Sequence, residues 1–337
     1  MRERYDMERN NRQDVQSRIK STIVIPNYNG MDYMEECLRS LAQEPAHIIV
    51  VDNGSMDGSR ELVQERFPDV ELVCLDRNYG FCKAVNDGIA RSKTTYVILL
   101  NNDTKIEPGF VRAMERPMEN HPEIFSGSAQ MRNMYQPHLI DDAGDYYCAL
   151  GWAFARGKDR PWEEYRKPCR IFAACGGAAI YRKKLLDEIG MMDENHFAYL
   201  EDIDLGYRAR IYGYYNIYIP EAVVYHAGSG VSGSRHNKFK VDLTSRNSVY
   251  LLYKNMPFIQ ILLNLPFLLA GFFVKTLFFM KKGMGGNYLR GLAKGVGMCL
   301  AEENRIHKVR FCREHLYGYV MIQLELWRNI WYRFRES

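Results

Sequence analysis

A chain of 337 residues can hold one sizeable domain with an appendage, or two modest domains. With 47% hydrophobic and 26% charged residues, its composition excludes disorder on the scale of the whole chain. The net charge of +4 is small, and without a recognition-helix, zinc-finger or RNA-binding signature nothing points to a nucleic-acid partner.

Residues 1–20 are charged throughout, with neither a hydrophobic period nor the apolar stretch of an export signal, and are expected to form a mobile arm on a cytoplasmic protein. Ser21-Thr-Ile-Val-Ile-Pro26 then reads as a buried parallel strand ended by proline, and Met34, Cys37, Leu38 and Leu41 recur at helical spacing. A second strand, His47–Asp52, stops in the turn Asn53-Gly54-Ser55. Residues 57–66 read as a helix, 70–75 as a strand, 81–91 as a helix and 96–100 as a fourth strand. Strands alternating with helices predict an α/β domain of right-handed βαβ units. Ligands bind such sheets beyond the carboxyl ends of the strands, so Pro26–Gly30, Asp52–Ser55 and Asn101–Asp103 are expected to be neighbours. The middle, 120–250, is less regular. It contains the small-residue stretch 173–180, a helix near 182–189, a polar helix starting at Glu201, and a strand, Val223–Tyr225, running into His226. The eight cysteines form no CxxC pair and no His/Cys cluster, as suits reduced thiols in the cytoplasm.

Several residues are placed to carry chemistry. Asp52 ends an apolar strand and is either a turn or N-cap aspartate or a carboxylate for a nucleobase or ribose. Asp103 repeats that arrangement at the next strand end, where an acidic cluster can hold a hard cation beside a diphosphate. Glu201, Asp202 and Asp204 crowd three carboxylates into four residues. On a helix Glu201 and Asp204 share a face while Asp202 points elsewhere, so one can face a cleft while the others cap or pair with Arg208 and Arg210. His226 is a lone histidine, structural by default, although one imidazole suits a cation such as Mn²⁺.

VIPNYNG at 24–30, VVDNGSMDGS at 50–59, RNYGFCKAVNDGI at 77–89, LLNNDT at 99–104, GGAAIYRKKLLDEIGMMDE at 176–194, YLEDIDLGYRAR at 199–210 and VVYHAGSG at 223–230 follow one another as in family-2 glycosyltransferases. Over about 21–250 the chain resembles that family, and within it the bacterial rhamnosyltransferase-like members. The resemblance implies a GT-A fold (a Rossmann-like, mainly parallel sheet flanked by helices), an inverting mechanism and a Mg²⁺ or Mn²⁺ cofactor. Pro26, Tyr28 and Asn29 would border the base, Asp52 would hold base or ribose, and Asn78, Gly80 and Asn86 would line the nucleotide site. Asn101, Asn102 and Gly177 would complete it. Asp103 is the last position of the family's DXD-like motif and would bind metal, with Asn101 in place of its first acid. Asp202 would be the general base, supported by Glu201 and Asp204, and His226, 24 residues further on, the third metal position. Arg246-Asn247 resembles a segment that touches diphosphate or acceptor. The favoured donor is dTDP-rhamnose, then a UDP-sugar, with a glycan or lipid-linked acceptor in cell-envelope polysaccharide synthesis. A nucleotidyltransferase is disfavoured because VIPNYNG lacks a basic glycine-rich loop, and a dehydrogenase because no GxGxxG follows a strand. A catalytically dead nucleotide-binding scaffold is the non-enzymatic rival.

The third region, 251–337, is expected to be helical, apolar and basic. From Lys275 onward there are twelve Lys/Arg against five Asp/Glu, whereas the preceding residues are mildly acidic. Residues 256–280 are long enough, at about 37 Å of helix, to cross a bilayer. Interior Asn264, Pro266 and Lys275 favour in-plane or partly embedded amphipathic helices over a transmembrane helix, with an apolar hairpin packed on the catalytic domain or on a second protomer as the alternative to both. The expected location is therefore the cytoplasmic face of the cell membrane, with a homo-oligomer left open.

Overall fold

A computed structural model describes residues 19–228 and 237–335, so the arm expected at 1–20 lies almost wholly outside the described residues. The strands are β1 (Ser21–Asn27), β2 (Ala46–Asp52), β3 (Glu71–Cys74), β4 (Tyr96–Leu100), β5 (Thr104–Ile106), β6 (Ile124–Asn133), β7 (Ile140–Asp142), β8 (Asp145–Cys148), β9 (Trp152–Ala155), β10 (Cys169–Ile171), β11 (Ala178–Arg182) and β12 (Tyr215–His226). The helices are α1 (Met31–Ser40), α2 (Ser59–Arg66), α3 (Phe81–Arg91), α4 (Phe110–Asn120), α5 (Lys183–Ile189), α6 (Glu201–Ile211), α7 (Lys238–Asn255), α8 (Phe258–Lys281), α9 (Gly285–Leu300) and α10 (Leu316–Arg335).

The main sheet runs β10-β12-β6-β11-β4-β1-β2-β3. Its N-terminal half, β4-β1-β2-β3, is parallel, as the alternating strands and helices predict. β11 then enters antiparallel between β4 and β6, and β12 pairs parallel to β6, so the second half is mixed. A short β8–β9 hairpin stands apart from the sheet. Side chains alternate across each strand. Ile23, Ile25, Ile98 and Leu100 face one fully buried layer with Met34, Phe110 and Met114 of α1 and α4. Val24, Val97 and Leu99 face the other, with Val85 and Ile89 of α3. A third apolar cluster joins α6, α7, α8 and α10, including Tyr207, Leu251, Leu268 and Leu326. The boundary expected at 250 falls inside α7, which is continuous to Asn255.

Strand order reverses at β1, which has β4 on one side and β2 on the other. A crevice opens at the carboxyl ends of strands where that happens. Asn27, Asp52 and Leu100 are the last residues of β1, β2 and β4, and this edge builds the site.

Candidate active site

A cleft of about 590 Å³ lies over this edge. Its walls bring together residues remote in sequence: Tyr28, Asn101, Asp103, Asp202, His226 and Lys240 among them. The first wall is a network of amides. Asn27 Nδ2 donates to Asp52 Oδ1 at 2.9 Å and Ser59 Oγ at 2.8 Å, while its Oδ1 accepts from Asn102 Nδ2 at 2.7 Å. Asn53 does the same for the next loop, donating to the Gly80 carbonyl at 3.0 Å and accepting from the Tyr79 amide at 2.9 Å. Gly80 has φ +94, and a Cβ there would lie 2.6 Å from the Phe197 carbonyl, so only glycine lets this loop close on residue 197.

The second wall is acidic. His226 lies between two carboxylates: Nδ1 is 2.7 Å from Asp141 Oδ2 and Nε2 is 3.2 Å from Asp103 Oδ1. Burial opposes charge on the imidazole, but the bonds and charges of Asp103 and Asp141 prevail and raise His226 to about 10. Asp141 also pairs with Lys158; burial works against its ionisation, yet His226 and Lys158 hold it down at about 2. Beside them, Asp142, Asp145 and Cys175 bring ligand atoms within 4.8 Å of one another. Burial lifts Asp142 to about 7, and it pushes the Cys175 thiol far up, leaving that sulfur protonated.

The third wall is the segment leading into α6. Phe197, Tyr199 and Leu200 all have positive φ (63°, 71° and 68°), a costly run for residues with bulky side chains. Side chains from α7 hold it. Asn247 Nδ2 donates to the carbonyls of His196, Ala198 and Tyr199 at 3.0, 2.9 and 2.7 Å, and Arg246 Nη2 to those of Asn195 and His196 at 2.8 Å each. The strained turn delivers Glu201 and Asp202 to the cleft at the start of α6, where the helix dipole favours negative charge. Burial nevertheless raises Asp202 above the usual carboxylate range, against hydrogen bonds from the Ile203 and Gly176 amides and from Asp145. Asp145 is raised further, by burial and then by the charges of Asp142 and Asp202. The hydrogen bond between the two raises Asp145 and lowers Asp202, so of the pair Asp145 holds a proton more readily.

Of the residues expected at the site, Pro26, Tyr28, Asn78, Gly80, Asn101, Asn102, Asp103, Gly177, Glu201, Asp202 and His226 line this one cleft. Others are engaged elsewhere. Asp52 is fully buried, bonded to Asn27 and to the Ser55 amide, so it reaches the cleft only through Asn27. Asn29 Oδ1 accepts from the Met56 amide at 3.0 Å. Asn86 ties α3 to Met192 and Glu194. Asp204 is fully buried against Arg208, Lys254 and Asn255. Arg246 spends its guanidinium on backbone carbonyls and Asn247. Sequence reasoning brought Asn27 and Asn53 to this edge only as members of strand-end ranges, with no role of their own, and passed over Asp141, Asp142, Asp145 and Lys240. The Asp141-Asp142-x-x-Asp145 spacing was the available signal, but it sits in the irregular middle and meets His226 only because β7 and β12 both pair with β6.

The model of the family "Glycosyl transferase family 2" matches residues 22–190. Among curated relatives, the N-acetylglucosaminyl-diphospho-decaprenol L-rhamnosyltransferase of Mycobacterium tuberculosis is 26% identical over 232 residues, 60% of this chain and 75% of that one. The dTDP-rhamnosyl transferase RfbF of Shigella flexneri is 26% identical over 249 residues, 69% of this chain and 79% of that one. Among solved structures, S. aureus TarS 1-349 in complex with UDP-GlcNAc superposes with a TM-score of 0.56 at 17% identity, over 86% of this chain and 84% of that one. GalNAc-T7 with UDP, GalNAc and Mn²⁺ gives 0.56 at 17% identity, over 69% of this chain and 47% of that one. At such identities the two structures share the GT-A fold with this chain, and the family match goes further: the chain belongs to glycosyl transferase family 2 and is a glycosyltransferase.

Proposed function

We propose that the protein transfers rhamnose from dTDP-rhamnose to a glycan or lipid-linked acceptor at the cytoplasmic face of the membrane, by one inverting displacement assisted by Mg²⁺ or Mn²⁺. A UDP-sugar is the second choice of donor. The observation that carries this reading is the meeting of Asp103, His226 and Asp202 in one cleft at the switch point of the sheet. The rhamnosyl donor is supported by the names of the two relatives, and the division of labour is residues 21–250 for catalysis and 251–337 for the membrane.

The donor set fits a hard divalent cation. Asp103 offers an anionic oxygen and His226 a nitrogen 3.2 Å away, both nearly buried yet on the cleft wall. Asp141 engages Nδ1, which leaves Nε2 as the ligating atom. A cation held there supplies charge neutralisation to the two phosphates of the donor. The chain's own residues do the rest. Tyr28, Asn78 and Asn102 bind and orient the nucleotide, and Asp52 fixes Asn27 and with it that wall. Asp202, raised by burial and lowered in part by the Asp145 hydrogen bond, takes the proton from the attacking acceptor hydroxyl on the far side of the sugar. Lys240, on the cleft wall near Asp103, adds positive charge where the leaving diphosphate gathers negative charge.

Calorimetry with dTDP, UDP and GDP, with and without Mn²⁺, on wild type and Asp103→Ala tests this. Mn²⁺-dependent binding of dTDP, weaker binding of UDP and its loss in Asp103→Ala are expected. A folded protein that binds none of the three would overturn the assignment of this cleft as the donor site.

A further inference from the structure

Helices α8 and α10 are inside-out for a protein bathed in water. Their polar side chains point inward: Gln260 and Asn264 of α8, and Gln323, Glu325 and Asn329 of α10, are all buried. Each has an internal partner. Asn264 and Gln323 exchange two hydrogen bonds of 2.8 Å, the Trp327 indole donates to Asn264 at 3.0 Å, and Tyr207 donates to Gln260 at 2.6 Å. Glu325 pairs with Arg210, and Asn329 donates to the Tyr147 carbonyl at 2.9 Å. The outer faces carry the apolar residues instead. Ile259, Leu269 and Phe273 are 62–66% exposed on α8, and Tyr317, Trp331 and Phe334 are 59–73% exposed on α10. In a water-soluble helix the pattern runs the other way. An apolar surface of this extent on a monomer marks a binding face.

The occupant follows from three further features. α8 is the one helix among the described residues long and apolar enough to cross a membrane, with 17% of its most apolar stretch buried in the protein. It is nonetheless held lengthwise. Gln260, Asn264, Leu268 and Gly271 form a single stripe against the protein, about 16 Å long at 1.5 Å per residue. A Cβ on Gly271 would lie 2.1 Å from the Leu150 carbonyl, and the Trp152 indole donates to the Gly271 carbonyl at 3.1 Å. Crossing a bilayer would drag Leu150, Trp152 and α6 into hydrocarbon with it. Finally, exposed basic residues stand at the end of α8 (Lys281, Lys282), on α9 (Arg290) and on α10 (Arg328, Arg335), in a region with twelve Lys/Arg against five Asp/Glu.

We propose that the outer face of α8 and α10 docks on an anionic lipid bilayer, with both helices lying in the plane of the membrane. Their apolar sides enter the acyl boundary while these basic residues meet the headgroups. The β8–β9 hairpin then joins membrane to chemistry, because Trp152 touches α8 while Ala153, Phe154 and Ala155 line the cleft. A lipid-linked acceptor would reach Asp202 along that hairpin without leaving the bilayer. The acceptor route rests on the functional reading above; the docking does not.

The test is flotation of the full chain with phosphatidylcholine vesicles, with and without phosphatidylglycerol, followed by external protease acting on a C-terminal affinity tag. Wild type floats, more with phosphatidylglycerol, and stays bound at high salt, and the tag is cut as completely on vesicles as in detergent. Leu269→Glu/Phe273→Glu and, separately, Trp331→Glu each lower vesicle partition at least about tenfold while dTDP calorimetry and circular dichroism stay as in wild type. A protected tag overturns the in-plane placement. A stable dimer in lipid-free buffer that does not float assigns the face to a second copy and overturns the proposal. Flotation without nucleotide binding strikes the assignment of the cleft to a dTDP-sugar donor and leaves the docking standing.

Discussion

His226 is held by a carboxylate on each ring nitrogen, an arrangement that favours its protonated form. Its pKa of about 10 means that the proton is retained throughout the neutral range. A metal at Nε2 must expel it, so the sign is fixed: affinity for Mn²⁺ rises with pH, by about tenfold per unit on the acid side of that pKa. Electron paramagnetic resonance of free Mn²⁺ across the neutral range measures this; an affinity independent of pH would remove His226 from the ligand set. Asp141→Asn weakens the grip on Nδ1 and should lower Mn²⁺ affinity about 10–100-fold, read in the same titration without any turnover. At Asp202 the sign of the pH effect is the same for another reason. Burial raises its pKa, so the base is lost to protonation earlier on acidification than an exposed aspartate would be. The rate should therefore rise with pH through that raised value, and the profile of Asp202→Asn should lose this limb.

At the scale of elements, α6 and α7 are fastened to each other by a buried ionic knot. Lys254 of α7 reaches Asp193 at 2.8 Å and Asp204 at 2.9 Å, and Asp204 also receives Arg208. Burial acts against the charge on Asp204, but Lys254 and Arg208 outweigh it and hold the carboxyl far below its usual 3.8. The folded pKa is depressed, so the contribution is present above 3.8 and lost as pH falls below it. Lys254→Met leaves two buried carboxylates short of a partner and should cost about 3–5 kcal/mol in urea unfolding at neutral pH. Asn247→Ala, by contrast, frees three carbonyls of the strained segment before Asp202. It should lower kcat while dTDP affinity changes little, since that wall is built by other residues; a loss of nucleotide binding of equal size would contradict this. These two helices also show where sequence reading ends. The Glu201–Asp204 cluster suggested one acid in the cleft and the others capping or paired with Arg208 and Arg210; Asp204 does pair with Arg208, but Glu201 and Asp202 both line the cleft. Arg246-Asn247 suggested contact with a ligand, but nothing in a sequence distinguishes a guanidinium or amide aimed at phosphate from one spent on a strained loop.

For the whole molecule, the parallel half of the sheet was legible because each buried strand is a short β-branched run between helices of clear period. Its strand-end residues were legible with it, since topology alone places Asn27, Asn53 and Asn101 on one edge. The mixed half was not, because antiparallel β11 and the long β12 derive their places from pairing with β6 rather than from local pattern. That is why Asp141 and Asp145 escaped notice. The interior polar residues of 256–280 were visible in the sequence, but their meaning appears only once Asn264 is seen facing Gln323 across two helices. Together these features set the proposed sugar-transfer cleft beside the exposed apolar face of α8 and α10.

The most direct test of the central claim is dTDP release from dTDP-rhamnose, with Mn²⁺ and a bacterial lipid extract as acceptor source, by wild type and Asp202→Asn. Wild type should turn over, and Asp202→Asn should be slower by about 10²–10⁴-fold with its donor Kd nearly unchanged. Turnover by Asp202→Asn at the wild-type rate would show that the cleft has been assigned the wrong base.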